Sequence, residues 1–187
     1  MNKLFYVIGA SGAGKDTLMN YARTRINGSA TVIFAHRYIT RPAFTGNENH
    51  VFLSNEEFNA RIAANLFALH WESHGQQYGI GAEINTWMES GFNVVVNGSR
   101  QYLPIAQQIY PDLKVILIEA NAEAISSRLA ERGRESTAEI KKRIARNAEI
   151  NADLKNCITI QNNGTIEDAG EVLVNIISLP PKPVTTV

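Results

Sequence analysis

The 187-residue sequence lacks the features of secreted and membrane proteins. It has one cysteine, Cys157, so no internal disulfide can form and nothing calls for an oxidising compartment. No stretch approaches the roughly 20 apolar residues that span a bilayer, and the apolar run 4–8 is too short for the core of a signal peptide. We therefore expect a cytoplasmic protein without a membrane partner.

The sequence also lacks net charge, because 18 Lys and Arg residues balance 18 Asp and Glu residues. This balance argues against a protein that coats nucleic acid through bulk electrostatics. The charges are unevenly placed, however. Residues 128–146 contain seven basic and three acidic residues, and residues 17–47 contain four arginines and no acidic residue. Two compact cationic segments suit small phosphorylated ligands better than a polyanion.

The order of apolar runs predicts a single α/β domain with a parallel sheet. Short apolar, β-branched runs that read as strands occur at 4–9, 31–34, 51–53, 67–72, 92–96, 114–119 and 157–161. Segments of helical character occur at 15–26, 122–132, 137–153 and 166–177, and Ser54 with Glu57 forms a capping box for another helix through about residue 64. Residues 36–49 are predicted to form a loop, and 73–81 a polar segment containing glycine.

A phosphate-binding loop is the strongest motif of the sequence. Gly9 to Lys15 has the spacing G-x-x-x-x-G-K between a predicted strand and a predicted helix. Backbone N–H groups freed by the glycines, together with the helix dipole, suit phosphate oxygens. The purely structural alternative is a glycine-rich turn between strand and helix with an incidental lysine. We expect the following residues to hold the phosphates of a nucleoside triphosphate: Gly9, Ala10, Ser11, Gly12, Ala13, Gly14, Lys15, Asp16 and Thr17.

The position after Lys15 departs from this motif, which places there a Ser or Thr that binds Mg²⁺. Asp16 stands in its place, followed by Thr17, and the strand 94–96 ends in Asn97, where many such proteins have a carboxylate that supports the metal. Since Asp is a good ligand for hard cations, we hypothesise that Asp16 and Thr17 form the metal site. The alternative is that Asp16 only stabilises the helix N-terminus.

The two cationic segments favour a kinase. Five of the seven basic residues in 128–146 are arginines, whose planar fork matches phosphate, so this segment suits a lid that closes over a nucleotide. The alternative is a solvated face with ion pairs such as Glu139–Arg143. The arginines of 17–47 suit an acceptor phosphate. A group of histidines and aromatics resembles one wall of a substrate pocket; it comprises His50, His70, Trp71, His74 and Tyr78.

Several of these motifs, in order along nearly the whole chain, resemble guanylate kinase. They are the phosphate loop, Thr-Arg-Pro at 40–42, Tyr-Gly at 78–79 and the arginines of 128–143. The resemblance implies a guanylate-kinase-like P-loop NTPase fold with a central parallel sheet flanked by helices. It also implies a core of about 1–35 and 80–180, a small acceptor-binding insertion of about 36–80 and an Arg-rich lid of about 128–146. ATP and Mg²⁺ would be the phosphoryl donor and its metal.

The residues that would read guanine differ from that family. His70, Asn97 and Ser99 replace carboxylates, and a site without those acceptors rejects the base. The strings GKDTL, AHRYITRP and RLAERGRE instead resemble the ribose 1,5-bisphosphate phosphokinases of bacterial phosphonate breakdown. That resemblance implies ATP-dependent formation of 5-phosphoribosyl 1-diphosphate (PRPP). A nucleoside monophosphate kinase with altered base specificity and a non-catalytic guanylate-kinase-like binding module are the alternatives.

The resemblance also assigns roles to individual residues. Lys15, Arg132 and Arg143 would stabilise the transferred phosphoryl group as catalytic residues, and Arg128 and Asn163 would border the nucleotide. It also implies that Arg41 and Tyr78 contact the acceptor phosphate. Beyond the resemblance, we infer that the acceptor is also bound by Arg37, His50, His70, Asn97, Ser99 and Arg100. The expected partners are small-molecule substrates and not nucleic acid, and the sequence leaves a homodimer open.

Overall fold

The computed structural model describes residues 3–28, 31–42, 50–131, 137–152, 154 and 156–178. Its helices and strands follow in this order: β1 (Leu4–Gly9), α1 (Lys15–Arg25), β2 (Val32–Phe34), β3 (Arg37–Ile39), β4 (His50–Phe52), α2 (Asn55–Ala63), β5 (Phe67–Ser73), β6 (Gln76–Gly81), α3 (Glu83–Glu89), β7 (Asn93–Asn97), α4 (Leu103–Ile109), β8 (Lys114–Glu119), α5 (Ala122–Glu131), α6 (Thr137–Ala152), β9 (Ile158–Gln161) and α7 (Ile166–Ile177).

A five-stranded parallel sheet in the order β2-β7-β1-β8-β9 forms the centre of the structure. Its central strands read as continuous apolar runs because helices cover both faces. On one face Phe5 and Val7 pack with Leu18 of α1 and Leu173 of α7, and on the other Tyr6 packs among residues of α3 and α4. The predicted α/β fold with a central parallel sheet is confirmed.

A second sheet of four strands, in the order β4-β3-β6-β5, lies within residues 37–81. The prediction of a loop over 36–49 was wrong where β3 forms, since Arg37–Ile39 pairs with both β4 and β6. Arg37–Ile39 begins with an arginine and lacks the continuous apolar run that marks the equally short strand β2. Six of the nine residues in the polar segment 73–81 likewise form strand β6. Helices α3 and α4 were not predicted because each has only seven residues.

The β5–β6 hairpin turns through two residues, His74 and Gly75. Their φ angles are +51° and +70°, and Ser73 pairs with Gln76 on either side of them. Two left-handed residues match a type I′ turn, which suits the twist of a hairpin. The turn thereby fixes which side chains of β5 and β6 share a face.

Helix α2 begins as the capping box predicts. The Ser54 hydroxyl accepts a hydrogen bond of 3.1 Å from the backbone N–H of Glu57. Within the described ranges, none of the helices is both long enough and apolar enough to cross a membrane.

Candidate active site

A cleft of about 550 Å³ lies where the phosphate loop, the second sheet, the loop after β7 and α6 come together. Its volume falls in the range of small-molecule sites. Among its lining residues, five carry positive charge and one, Asp16, carries a carboxylate. The positive residues are Lys15, Arg37, Arg100, Lys142 and Arg146. This excess of cations makes the cleft suitable for ligands with several phosphates.

The phosphate loop is held from the β9 side of the sheet. Gly14 has a φ of +87°, and a Cβ there would lie 2.3 Å from Nδ2 of Asn162, so only glycine fits. The Asn162 side chain, in a residue that is 3% exposed, donates from that nitrogen to the carbonyl of Ala13 at 2.7 Å. Arg128 donates in turn to the carbonyl of Asn162 at 2.9 Å. These contacts connect the phosphate loop to α5 and to the end of β9.

Lys15, Asp16 and Asn97 form one hydrogen-bonded network at the base of the cleft. Lys15 donates from Nζ to Asn97 Oδ1 and to Asp16 Oδ1, at 2.5 and 3.2 Å, and Asn97 donates from Nδ2 to the same Asp16 oxygen at 2.6 Å. Burial by itself would raise the pKa of Asp16, but Lys15, Arg37 and the Asn97 amide outweigh it and hold the pKa below its usual value. The carboxylate is therefore ionised at neutral pH.

The donor set at Asp16 fits a magnesium ion. All of the described contacts of the carboxylate go to Oδ1, which leaves Oδ2 for another ligand, and 42% of the side chain is exposed. Thr17 adds an exposed hydroxyl beside it, and both residues line the cleft. In the described ranges, no group of three or more His, Cys, Asp or Glu side chains could hold a metal ion. Phosphate and water oxygens would therefore complete the coordination, as is usual for Mg²⁺.

Arg37 connects the phosphate loop to the second sheet. Its guanidinium is nearly buried, with Nη2 4.0 Å from Asp16 Oδ1 and its central carbon 5.7 Å from the ring centroid of Tyr78. Tyr78 stacks on Trp71 at 5.6 Å, and Trp71 stacks on Tyr102 at 5.4 Å. The three rings form a stack that supports the arginine from one side.

The loop after β7 is anchored in the core by Tyr6. This fully buried phenol donates a hydrogen bond to the Ser99 carbonyl at 3.1 Å and accepts one from the Ser99 N–H at 3.0 Å. A Cβ on Gly98 would lie 2.2 Å from the Tyr6 ring, so the loop can lie on the ring only with glycine there. Burial raises the pKa of Tyr6. The anchor places Ser99 and Arg100 in the cleft.

The cleft brings together most of the expected phosphate-loop residues and four of the expected acceptor residues. The acceptor residues that line it are Arg37, Tyr78, Ser99 and Arg100. Asn97 is buried and is not among the lining residues, but it contacts the lining residues Lys15 and Asp16. Ala13 is buried, and its carbonyl accepts the bond from Asn162.

The other expected residues lie elsewhere. His70 is exposed and, because strand residues alternate, lies on the face of β5 opposite Trp71 and Ser73, which line the cleft. His50 in β4 and Arg41 after β3 are not among the lining residues. Arg128 and Asn163 contact protein groups, the latter by accepting a bond of 2.7 Å from the Asn121 N–H. Arg132 lies outside the described residues, as does the side chain of Arg143 within α6.

Several residues that line the cleft were not predicted as site residues. Lys142, Asn147 and Ile150 line it from helix α6, Gly98 and Gln101 from the loop after β7, and Ser73 from the end of β5. Lys142, Arg146 and Ile150 recur every four residues, so they share one face of the helix. That periodicity is the signal that could have identified the face of α6 directed at the cleft.

Comparison with known proteins agrees with this architecture. The family model for guanylate kinase matches residues 1–179. The ribose 1,5-bisphosphate phosphokinase PhnN of Thiobacillus denitrificans is 52% identical over 176 residues, covering 94% of this chain and 93% of that protein. The protein of the same name from Desulfomicrobium baculatum is 49% identical over 177 residues, covering 95% of each chain.

A crystal structure of guanylate kinase from Anaplasma phagocytophilum shares the fold. It superposes with a TM-score of 0.65 at 17% sequence identity and covers 94% of this chain and 83% of that one. The fold, the phosphate loop and the extent of these matches lead to one assignment. The chain belongs to the guanylate kinase family, in the branch of the ribose 1,5-bisphosphate phosphokinases PhnN.

Proposed function

We propose that the protein transfers a phosphoryl group from ATP to ribose 1,5-bisphosphate, forming PRPP and ADP during phosphonate degradation. The observation that carries the proposal is the charge of the cleft, with five cationic side chains and one carboxylate. The reaction brings together a triphosphate and a bisphosphate, and each needs positive charge from the protein. We place the reaction in the cytoplasm, with small molecules as substrates and no nucleic acid as a partner.

The chemistry of the cleft favours a base-free acceptor. Hydrogen bonds to the N–H groups of guanine require acceptors such as carboxylates, whereas the guanidinium groups of Arg37 and Arg100 present only donors. The single carboxylate of the cleft, Asp16, already accepts from Lys15 and Asn97. A sugar that carries two phosphates and no base matches this set of donors.

The phosphoryl transfer requires positioning and charge neutralisation. An anionic oxygen of the acceptor's 1-phosphate forms a bond to the γ-phosphorus while the bond from that phosphorus to the β–γ bridging oxygen breaks, and ADP leaves. No general base is needed, because the attacking oxygen carries no proton that must be removed. Lys15 would neutralise the β- and γ-phosphate oxygens, and Mg²⁺ held by Asp16 and Thr17 would supply further positive charge there.

The lid and acceptor residues complete the proposal. Arg132 and Arg143 would approach the transferred phosphoryl group from the lid and exclude water. Arg37 and Tyr78 would hold the acceptor's 1-phosphate, with Arg41, His50 and His70 as further acceptor-side residues. Arg128 and Asn163 would border the nucleotide, the former by keeping Asn162 against the phosphate loop.

The test compares acceptors at fixed ATP and Mg²⁺. Release of ADP is followed with ribose 1,5-bisphosphate and with a panel of nucleoside monophosphates, and the product is identified by phosphorus NMR. We expect turnover of the bisphosphate with a diphosphate signal from PRPP. Turnover of GMP alone would assign the protein to the nucleoside monophosphate kinases, and no turnover with any acceptor would favour a binding module.

A further inference from the structure

The loop after β7 and helix α6 are joined by a group of polar side chains. Arg100 donates from Nη1 to Asn151 Oδ1 at 2.9 Å and from Nη2 to Asn147 Oδ1 at 2.8 Å. Asn151 donates in turn to Glu119 Oε1 at 2.9 Å, which fixes its own orientation. The guanidinium is therefore held in one position against the helix, at the wall of the cleft.

Asn147 leaves a buried donor without a partner. The residue is 7% exposed and lines the cleft. A guanidinium has only donors, so Arg100 must face the amide oxygen of Asn147, and this determines which end of the amide points away from Arg100. The nitrogen, Nδ2, has no hydrogen-bond partner among the described residues. Burying a hydrogen-bond donor without an acceptor costs free energy. We therefore expect a bound ligand to supply an acceptor atom for Nδ2.

The guanidinium groups of Arg100 and Arg146 lie near each other at the wall of the cleft. Burial, and secondly the nearby guanidinium of Arg146, lower the pKa of Arg100. Within the part of the chain that the structure describes, neither arginine forms an ion pair with a carboxylate. An anion bound between them would relieve their mutual repulsion and would accept hydrogen bonds from both.

The position of this group in the sheet shows which substrate it faces. β7 lies between β1 and β2, and β2 leads into the second sheet, which carries Arg37 and Tyr78. The contacts that clamp the phosphate loop from the nucleotide side, through Arg128 and Asn162, lie at the opposite end, beside β9. The loop carrying Arg100 is therefore on the acceptor side of the phosphate loop.

We propose that Arg100, Arg146 and Asn147 form a second phosphate subsite. It binds the phosphate of the sugar bisphosphate that does not receive the phosphoryl group. This proposal rests on the proposed function and adds to it the residues that distinguish a bisphosphate from a monophosphate. Arg100 and Arg146 supply charge, and Nδ2 of Asn147 supplies a directed neutral donor.

The variants Arg146→Gln and Asn147→Asp test the subsite. The second is close in size to asparagine and keeps an oxygen for Arg100, but it replaces the unpartnered donor with a negative oxygen. Affinities for ribose 1,5-bisphosphate and ribose 1-phosphate are measured by calorimetry with ADP and Mg²⁺ present. Lys114→Gln, at the opposite end of the sheet, removes the same charge as Arg146→Gln and serves as the control.

We expect both variants to weaken binding of the bisphosphate at least about tenfold while changing that of ribose 1-phosphate less than about twofold. Equal losses for the two ligands, or a loss confined to ADP, would overturn the subsite. A wild-type protein that turns over GMP and not the bisphosphate would refute the proposed function itself. A wild-type protein that turns over the bisphosphate, with both variants retaining their affinity for it, would refute the subsite alone.

Discussion

Asn97 donates a hydrogen bond of 2.6 Å to the carboxylate of Asp16, which joins the end of β7 to the first turn of α1. The two departures from the usual phosphate-loop pattern, an aspartate after the lysine and an amide at the strand end, are therefore in direct contact. The contact contains a single carboxylate, and this carboxylate belongs to helix α1 instead of strand β7. An amide at position 97 can donate to a carboxylate at position 16, whereas two carboxylates at these positions would repel each other.

Moving the carboxylate from position 16 to position 97 tests whether Asp16 supports the metal. Asp16→Ser removes the carboxylate, so we expect the Mg²⁺ concentration for half-maximal phosphoryl transfer to rise about tenfold or more. Adding Asn97→Asp returns a carboxylate to the strand end and should recover most of that loss. Binding of Mn²⁺ with ADP, followed by paramagnetic resonance, gives a readout independent of turnover. Asp112→Asn, on an exposed loop, is the control, and an unchanged metal requirement in Asp16→Ser would contradict the role.

Arg37→Lys tests the connection between the phosphate loop and the acceptor side. Lysine keeps the charge but lacks the planar fork that lies between Asp16 and Tyr78. We expect the KM for the acceptor to rise at least about tenfold, and the KM for ATP much less. Arg61→Lys is a matched control, because Arg61 also lies over a ring and pairs with a carboxylate, but outside the cleft. Equal effects on both substrates would remove Arg37 from the acceptor site.

Tyr6→Phe tests the anchor of the loop after β7. The variant leaves the partly buried N–H and carbonyl of Ser99 without their partner, so we expect a loss of about 1–3 kcal/mol in the free energy of unfolding at pH 7. The KM for the acceptor should rise as well, because Ser99 and Arg100 lie on this loop. Tyr110→Phe, which removes a single hydrogen bond to Asn85, is the control for urea unfolding.

The same phenol predicts a pH dependence. Its pKa is raised in the folded protein, so above about pH 10 the unfolded chain loses this proton while the folded protein retains it. The wild type should therefore lose stability relative to Tyr6→Phe as the pH rises through that value. Urea unfolding of both proteins between pH 8 and 11, as a range chosen around the ordinary tyrosine pKa of about 10, measures the difference. A constant difference across the series would show that Tyr6 ionises equally in both states.

Asn162→Asp tests the clamp on the phosphate loop. The variant places a carboxylate oxygen opposite the Ala13 carbonyl, where an N–H donates in the wild type. We expect a loss of about 1–3 kcal/mol in the free energy of unfolding and a weaker affinity for ATP. In Asn163→Asp the side chain keeps an oxygen for the Asn121 N–H, so its unfolding free energy should change by less than about 0.5 kcal/mol. Similar losses in the two variants would contradict the clamp.

The phosphate loop and the central sheet could be predicted because each depends on local pattern. Gly9 to Lys15 has a fixed spacing, and the runs around Val95 and Ile116 are apolar throughout because both faces of the sheet are covered. The strand β3 was not predicted, since Arg37–Ile39 does not form an apolar run and its pairing partners are distant in sequence. For the same reason the sequence did not show that Tyr6 holds Ser99, 93 positions away.

The placement of histidines shows a different limit. His70 and Trp71 are neighbours in sequence and were grouped as one wall of a pocket, but a strand directs neighbours to opposite faces. Had β5 been read with its alternation, Trp71 and Ser73 would have been chosen and His70 left out. The same holds for α6, where the four-residue spacing would have selected Lys142 and Arg146 as cleft residues.

The division of the chain into two sheets has an evolutionary consequence. The groups proposed to hold the triphosphate are attached to the central sheet and its β9 end, whereas much of the proposed acceptor wall belongs to a separate sheet within residues 37–81. Under that proposal, substitutions in the second sheet away from Arg37 would alter the choice of acceptor and leave the phosphate loop in place. A duplicated gene of this architecture could thus acquire a new metabolite while it retains its inherited chemistry.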